Sequence, residues 1–93
     1  MNQNIDTEAL YTSADKFISL ANEIAQKDTS GTVGMGLRYA AARYSAFESS
    51  MATKDMAGEK DKIKEALLKD YEMMLEENLT IYIQHLASQS TQK

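Results

Sequence analysis

Cysteine is absent, and with it go disulfides, thiolate zinc sites, iron–sulfur clusters and any cysteine nucleophile. Proline is absent too, so the strongest interior helix breaker is missing from all 93 residues. Histidine occurs once, at His85, and without thiolates it leaves a transition-metal site short of ligands. No run of residues approaches the roughly 18 apolar positions that a membrane span requires. The opening "MNQNIDTEALYTSADK" has neither a basic region nor an apolar core of the kind that directs secretion. Positive charge is also scarce: 10 Lys and Arg face 14 Asp and Glu, a formal net charge of -4. An acidic chain of this kind is not a general nucleic-acid binder, because such affinity rests on cationic neutralisation of phosphates. The expectation is a cytoplasmic protein with no membrane and no nucleic-acid partner.

What remains is rich in Ala, Glu, Lys, Leu and Met, all good helix formers. The length suits one small domain, 1–93, whose core is limited by size. Three helical segments follow from the spacing of apolar residues. The first, about 7–26, starts at Asp6 or Thr7 as cap and carries Leu10, Ala14, Phe17, Ile18, Ala21, Ile24 and Ala25 on one stripe. The turn formers of "KDTSGT" end it, with Ser30 or Thr32 available to cap the next.

The second segment, about 33–52, has Gly34 and Gly36 in its first turns, where each glycine costs about 1 kcal/mol relative to alanine. Close approach of a neighbouring helix is the first explanation. The alternative is a backbone-amide anion site at the helix N-terminus, including Arg38, although no strand precedes it as in dinucleotide motifs. The third segment, about 59–87, follows a turn placed at Gly58 and leaves 88–93 as a flexible tail. Leu68, Tyr71, Leu75, Leu79, Tyr82 and Leu86 form one apolar line, with Ile63, Leu67, Met74 and Ile81 beside it. A face so broad meets more than one neighbour. Its last turns outreach the other two helices, and "LTIYIQHL" would stand exposed. The fold expected is all-α, a three-helix antiparallel bundle with a long C-terminal helix, paired into a homodimer in which that end takes part.

Several side chains invite a chemical reading. Glu72, Glu76 and Glu77 are acidic neighbours, but adjacent helix positions diverge by about 100°, so a salt bridge to the second helix is favoured over acid/base work. Asn78 lies on or beside the apolar face, where a polar group can satisfy a backbone group or fix helix register; packing specificity is the first reading and a surface-lying Asn the alternative. The stretch "LRYAAARYSAF" repeats an Arg-Tyr pair, yet Arg38 and Arg43 point about 140° apart and do not clasp one phosphate. Tyr39, Arg43 and Phe47 share one face at i,i+4 spacing, so the Arg43 guanidinium is placed against aromatic rings. Its far end is then free for a carboxylate from Asp15, Glu72 or Glu76. Six methionines are many for the length, but their scatter suits core filling better than a binding groove.

Three strings, "LYTSADKFISLANE", "YAAARYSAF" and "MLEENLTIYI", resemble a small proteobacterial family catalogued only as a domain of unknown function. Tyr11, Ala14, Asp15, Phe17, Ile18, Leu20, Ala21 and Asn22 fit its first helix. Tyr39 to Arg43, Tyr44, Ala46 and Phe47 fit its second, and Met74 to Leu79 with Tyr82 its third. Gly34 and Gly36 make the start of the second helix more glycine-rich than the pattern. The resemblance implies a small, bacterial, all-helical protein and supplies no substrate, cofactor or catalytic residue. No catalytic constellation or cofactor motif is recognisable, so the leading functional expectation is a non-enzymatic protein-interaction or regulatory module, with an unidentified protein partner besides its own copy. The alternative is a small anionic-ligand binder using Gly34, Gly36 and Arg38 near the start of helix 2.

Overall fold

The computed structural model describes residues 6–91 and contains three helices: α1 (Thr7–Lys27), α2 (Thr32–Ala52) and α3 (Met56–Thr91). No strand occurs among the described residues. The chain divides into two compact units, Met1–Tyr44 and Ser45–Lys93, with the division inside α2.

In the first unit, Asp6 begins α1. Its carboxylate accepts from the Glu8 and Ala9 amides at 3.0 and 3.2 Å, satisfying two of the free N–H groups of the first turn. Glu8 in the first turn and Lys27 in the last complement the helix dipole. The helix ends at Asp28, whose amide still donates to the Ile24 carbonyl at 2.9 Å. Asp28 then folds the connector onto itself: Oδ1 accepts from the Ser30 amide at 3.0 Å and Oδ2 from the Thr32 hydroxyl at 3.3 Å. The Ser30 side chain, and after it the Ser30 amide and the Thr32 hydroxyl, hold the Asp28 carboxyl below the ordinary carboxylate range. Gly31 completes the turn at φ +90°, a left-handed conformation that suits glycine.

In the second unit the C-terminal end of α2 meets a tight connector. The Thr53 amide donates to the Ser49 carbonyl at 3.2 Å, and the Thr53 hydroxyl accepts from the Asp55 amide at 3.1 Å. The same hydroxyl donates to Glu59. Asp55 caps α3, with Oδ1 accepting from the Gly58 amide at 3.0 Å. Gly58 is therefore not the turn residue expected from the sequence; it is the third residue of α3, and its φ is not positive. A Cβ at Gly58 would collide with the Asp55 carboxylate, so the glycine makes room for the cap.

Because Asp55 rather than Gly58 starts it, α3 begins three residues earlier than its periodicity predicts. It also ends four residues later, at Thr91. The polar stretch 88–91, expected to be tail, is helical because no glycine or proline stops it; residues 92–93 lie outside the described residues. At 36 residues α3 is about 54 Å long, against about 32 Å for each of the others.

None of the described residues is buried. The half-buried ones are Ala14, Ala21 and Val33 in the first unit, and Ser45, Ser49, Thr53 and Ile63 in the second; all but Ile63 are small or lie at element ends. No described helix is long and apolar enough to cross a membrane.

Candidate functional site

The apolar stripe of α1 and the start of α2 together line a groove of about 490 Å³. Phe17, Leu20 and Ile24 form one wall; Val33, Gly36 and Leu37 form the other. The stripe follows from the spacing of three and four along α1, and the short connector brings α2 alongside. Phe17 is 61% exposed, so the groove is open rather than a filled core. Asp28 is the one charged residue among its lining.

Gly36 forms part of the groove wall. Among the described residues of the first unit, no atom other than its own helix backbone and chain neighbours lies within 4 Å of where a Cβ would stand, so the close helix approach expected at this glycine is not made by α1. At Gly34 the nearest such atom is a guanidinium nitrogen of Arg38, at an ordinary 3.7 Å. Arg38 thus folds back over its own helix, and neither Arg38 nor Gly34 lines the groove. The three residues expected to form an anion pocket are not gathered into one.

Further along α2, Arg43 lies over the Tyr39 ring, its guanidinium carbon 5.0 Å from the centroid. Within the first unit Arg43 makes no ion pair with Asp15. Phe47 falls on the same face of α2, just inside the second unit. Ser49 and Ser50 return their hydroxyls to the Ser45 and Phe47 carbonyls at 2.9 and 2.7 Å.

The remaining candidates lie on α3. Glu72, Met73, Glu76 and Glu77 line a shallow depression on the helix surface. Asn78 donates from Nδ2 to the Met74 carbonyl at 2.8 Å, so its amide is engaged one turn back on the same helix. From Asn78 to Gln89 there is no Asp, Glu, Lys or Arg, and His85 is the one basic side chain. His85 Nε2 and Gln89 Nε2 are hydrogen-bonded at 3.1 Å. The apolar side chains here stand in water: Tyr82 is 64% exposed and Ile83 66%.

Residues 10–83 match the model of a family described as a protein of unknown function (DUF3144). The chain belongs to the DUF3144 family. Its match runs through α1, α2 and most of α3, and includes all three strings that carry the resemblance noted from the sequence. No curated protein and no solved structure matches the chain. Family membership leaves the chemistry to be read from the residues. Two features stand out, an open apolar groove in the first unit and an uncharged, exposed helix end in the second. Periodicity alone identified both faces as apolar; it placed the α1 stripe inside a bundle and the end of α3 at a contact with a second copy. What it missed was the length of the charge-free run, a count that the sequence does contain.

Proposed function

We propose that this DUF3144 member is a non-enzymatic interaction module of the bacterial cytoplasm that works as an assembly with its own copy, a homodimer of antiparallel helical bundles. One observation carries the reading: Leu10, Phe17, Ile24, Leu37, Leu79, Tyr82 and their like are all exposed, and no described residue is buried. A 93-residue chain depends on apolar burial to offset the entropy of ordering its backbone. Fully covering one Leu or Ile side chain contributes about 1.5–3 kcal/mol. Leu79, Ile81, Ile83 and Leu86 together therefore represent a large unrealised stabilisation, which a second chain supplies.

The anionic-ligand reading is weaker on the same evidence, because the groove near the start of α2 is apolar and its one charge is the carboxylate of Asp28. An anion there would meet repulsion. The test is the concentration dependence of folding. A self-assembled module unfolds at a higher temperature as protein concentration rises, because association draws on the folded state. A melting temperature constant over a hundredfold range of concentration would contradict the proposal.

A further inference from the structure

We infer that the α1–α2 groove receives the uncharged end of α3, Asn78–Gln89, from a second copy of the chain, and that the second copy's groove receives the first copy's helix in return. The inference rests on the self-assembly reading and adds which surfaces meet.

Four properties of the two surfaces agree. The first is length: the groove runs along α1 from Phe17 to Asp28, and the charge-free part of α3 begins at Asn78 and includes Gln89. Eleven residue steps of α1 are about 16 Å, and the charge-free helix, which continues to Thr91, is long enough to span them.

The second is charge. The groove lining carries only Asp28, so its occupant must bring no carboxylate. The segment Asn78–Gln89 brings none, and its one basic side chain, His85, has a ring N–H that can donate to the Asp28 carboxylate. Other parts of the chain fit worse. The α3 residues before Asn78 carry a charge in nearly every turn, ending in Glu72, Glu76 and Glu77, and neither α1 nor α2 has a charge-free helical run as long.

The third is the pattern of anchors. Leu79, Tyr82, Ile83 and Leu86 recur at i, i+3, i+4 and i+7, the spacing by which an amphipathic helix lays side chains into an apolar groove. The fourth is Gly36. A helical glycine is unfavourable without a purpose, and here it leaves open space in the groove wall. A docking helix would use that space for close backbone approach. Reciprocal exchange about a two-fold axis satisfies both surfaces twice and closes the assembly at two copies.

The chain has no cysteine, so introduced thiols report contacts without background. Leu20→Cys places one in the groove and Tyr82→Cys one on the helix end. The two full-length variants, refolded together and treated with a short bis-maleimide, should give a covalent dimer at least tenfold more abundantly than either variant alone. Leu37→Cys, on the opposite wall, replaces Leu20→Cys if that variant loses its helical circular dichroism. Gly36→Leu fills the groove wall while improving helix propensity, so it should keep the helix content and weaken self-association at least tenfold.

Other results overturn the inference in distinguishable ways. If Tyr82→Cys alone links as well as the mixture, the copies meet through α3 and α3, and self-assembly stands without the groove. If a Leu20→Cys/Tyr82→Cys double variant closes within one chain at monomer mass, the occupant is the chain's own helix. Unchanged association of Gly36→Leu contradicts the groove as the docking surface. A folded chain that never associates contradicts both the inference and the reading it rests on.

Discussion

The Asp55 carboxylate occupies the space that a side chain at Gly58 would need, and it accepts a hydrogen bond from the Gly58 amide. Two opposing effects meet at this helix start. Alanine at position 58 would gain about 1 kcal/mol of helix propensity. It would also displace the cap, whose loss costs about 1 kcal/mol.

Gly58→Ala is therefore expected to change stability by less than about 0.5 kcal/mol in urea unfolding, whereas Asp55→Ala destabilises by about 1 kcal/mol. In the Asp55→Ala background there is no cap to displace, and Gly58→Ala should then stabilise by its full propensity gain. Additivity of the two substitutions would show that the residues do not interact.

The connector between α1 and α2 should respond to acid. The Asp28 carboxyl titrates below its ordinary range in the folded chain, chiefly through Ser30. A folded pKa below the unfolded one means stability that is present above the unfolded pKa and lost as pH falls through the folded value. Helix content followed from pH 6 down to pH 2 should show this loss, and Asp28→Asn should remove that component of the pH dependence. An identical acid profile in Asp28→Asn would show that the carboxylate bonds contribute nothing.

At the centre of α2, Arg43 lies over Tyr39 at an exposed position. Such a contact is worth about 0.5–1 kcal/mol. A double-mutant cycle with Tyr39→Leu and Arg43→Gln is expected to give a coupling energy of that size. A coupling of several kcal/mol, or rescue of Arg43→Glu by Glu72→Arg or Asp15→Arg, would instead identify an interhelical charge tie.

Asn78 bonds to its own helix through the Met74 carbonyl. Asn78→Leu should therefore leave the stoichiometry of the proposed two-copy assembly unchanged and alter stability by no more than about 1 kcal/mol, the net worth of one such bond. A shift to trimers or larger species, read by sedimentation, would show that Asn78 sets the register between copies.

Residue spacing was enough to identify three helices, because α1 and α3 carry apolar stripes with the helical period and no proline interrupts them. The boundaries proved harder where two signals competed. Gly58 resembles a turn residue, yet Asp55 wins as the cap and draws the glycine into the helix. The end of α3 was hidden for the opposite reason, since Ser88 to Thr91 are polar but nothing among them forces a stop. At the candidate site, the Phe17 and Ile24 stripe and the Leu79–Leu86 line were visible as apolar faces, while Leu20 was not assigned to the stripe. Helix length already pointed to an exposed α3 end, but that the α1 stripe stands open follows only from exposures, because period alone does not distinguish a face covered by its own chain from one awaiting another.

Self-association is the point on which the functional proposal depends, and sedimentation equilibrium at micromolar to high micromolar concentration measures it directly. The expected result is a reversible species of twice the 10.4 kDa chain mass, with helical circular dichroism that grows as the dimer forms. A single well-folded species of 10.4 kDa across the whole range would contradict it.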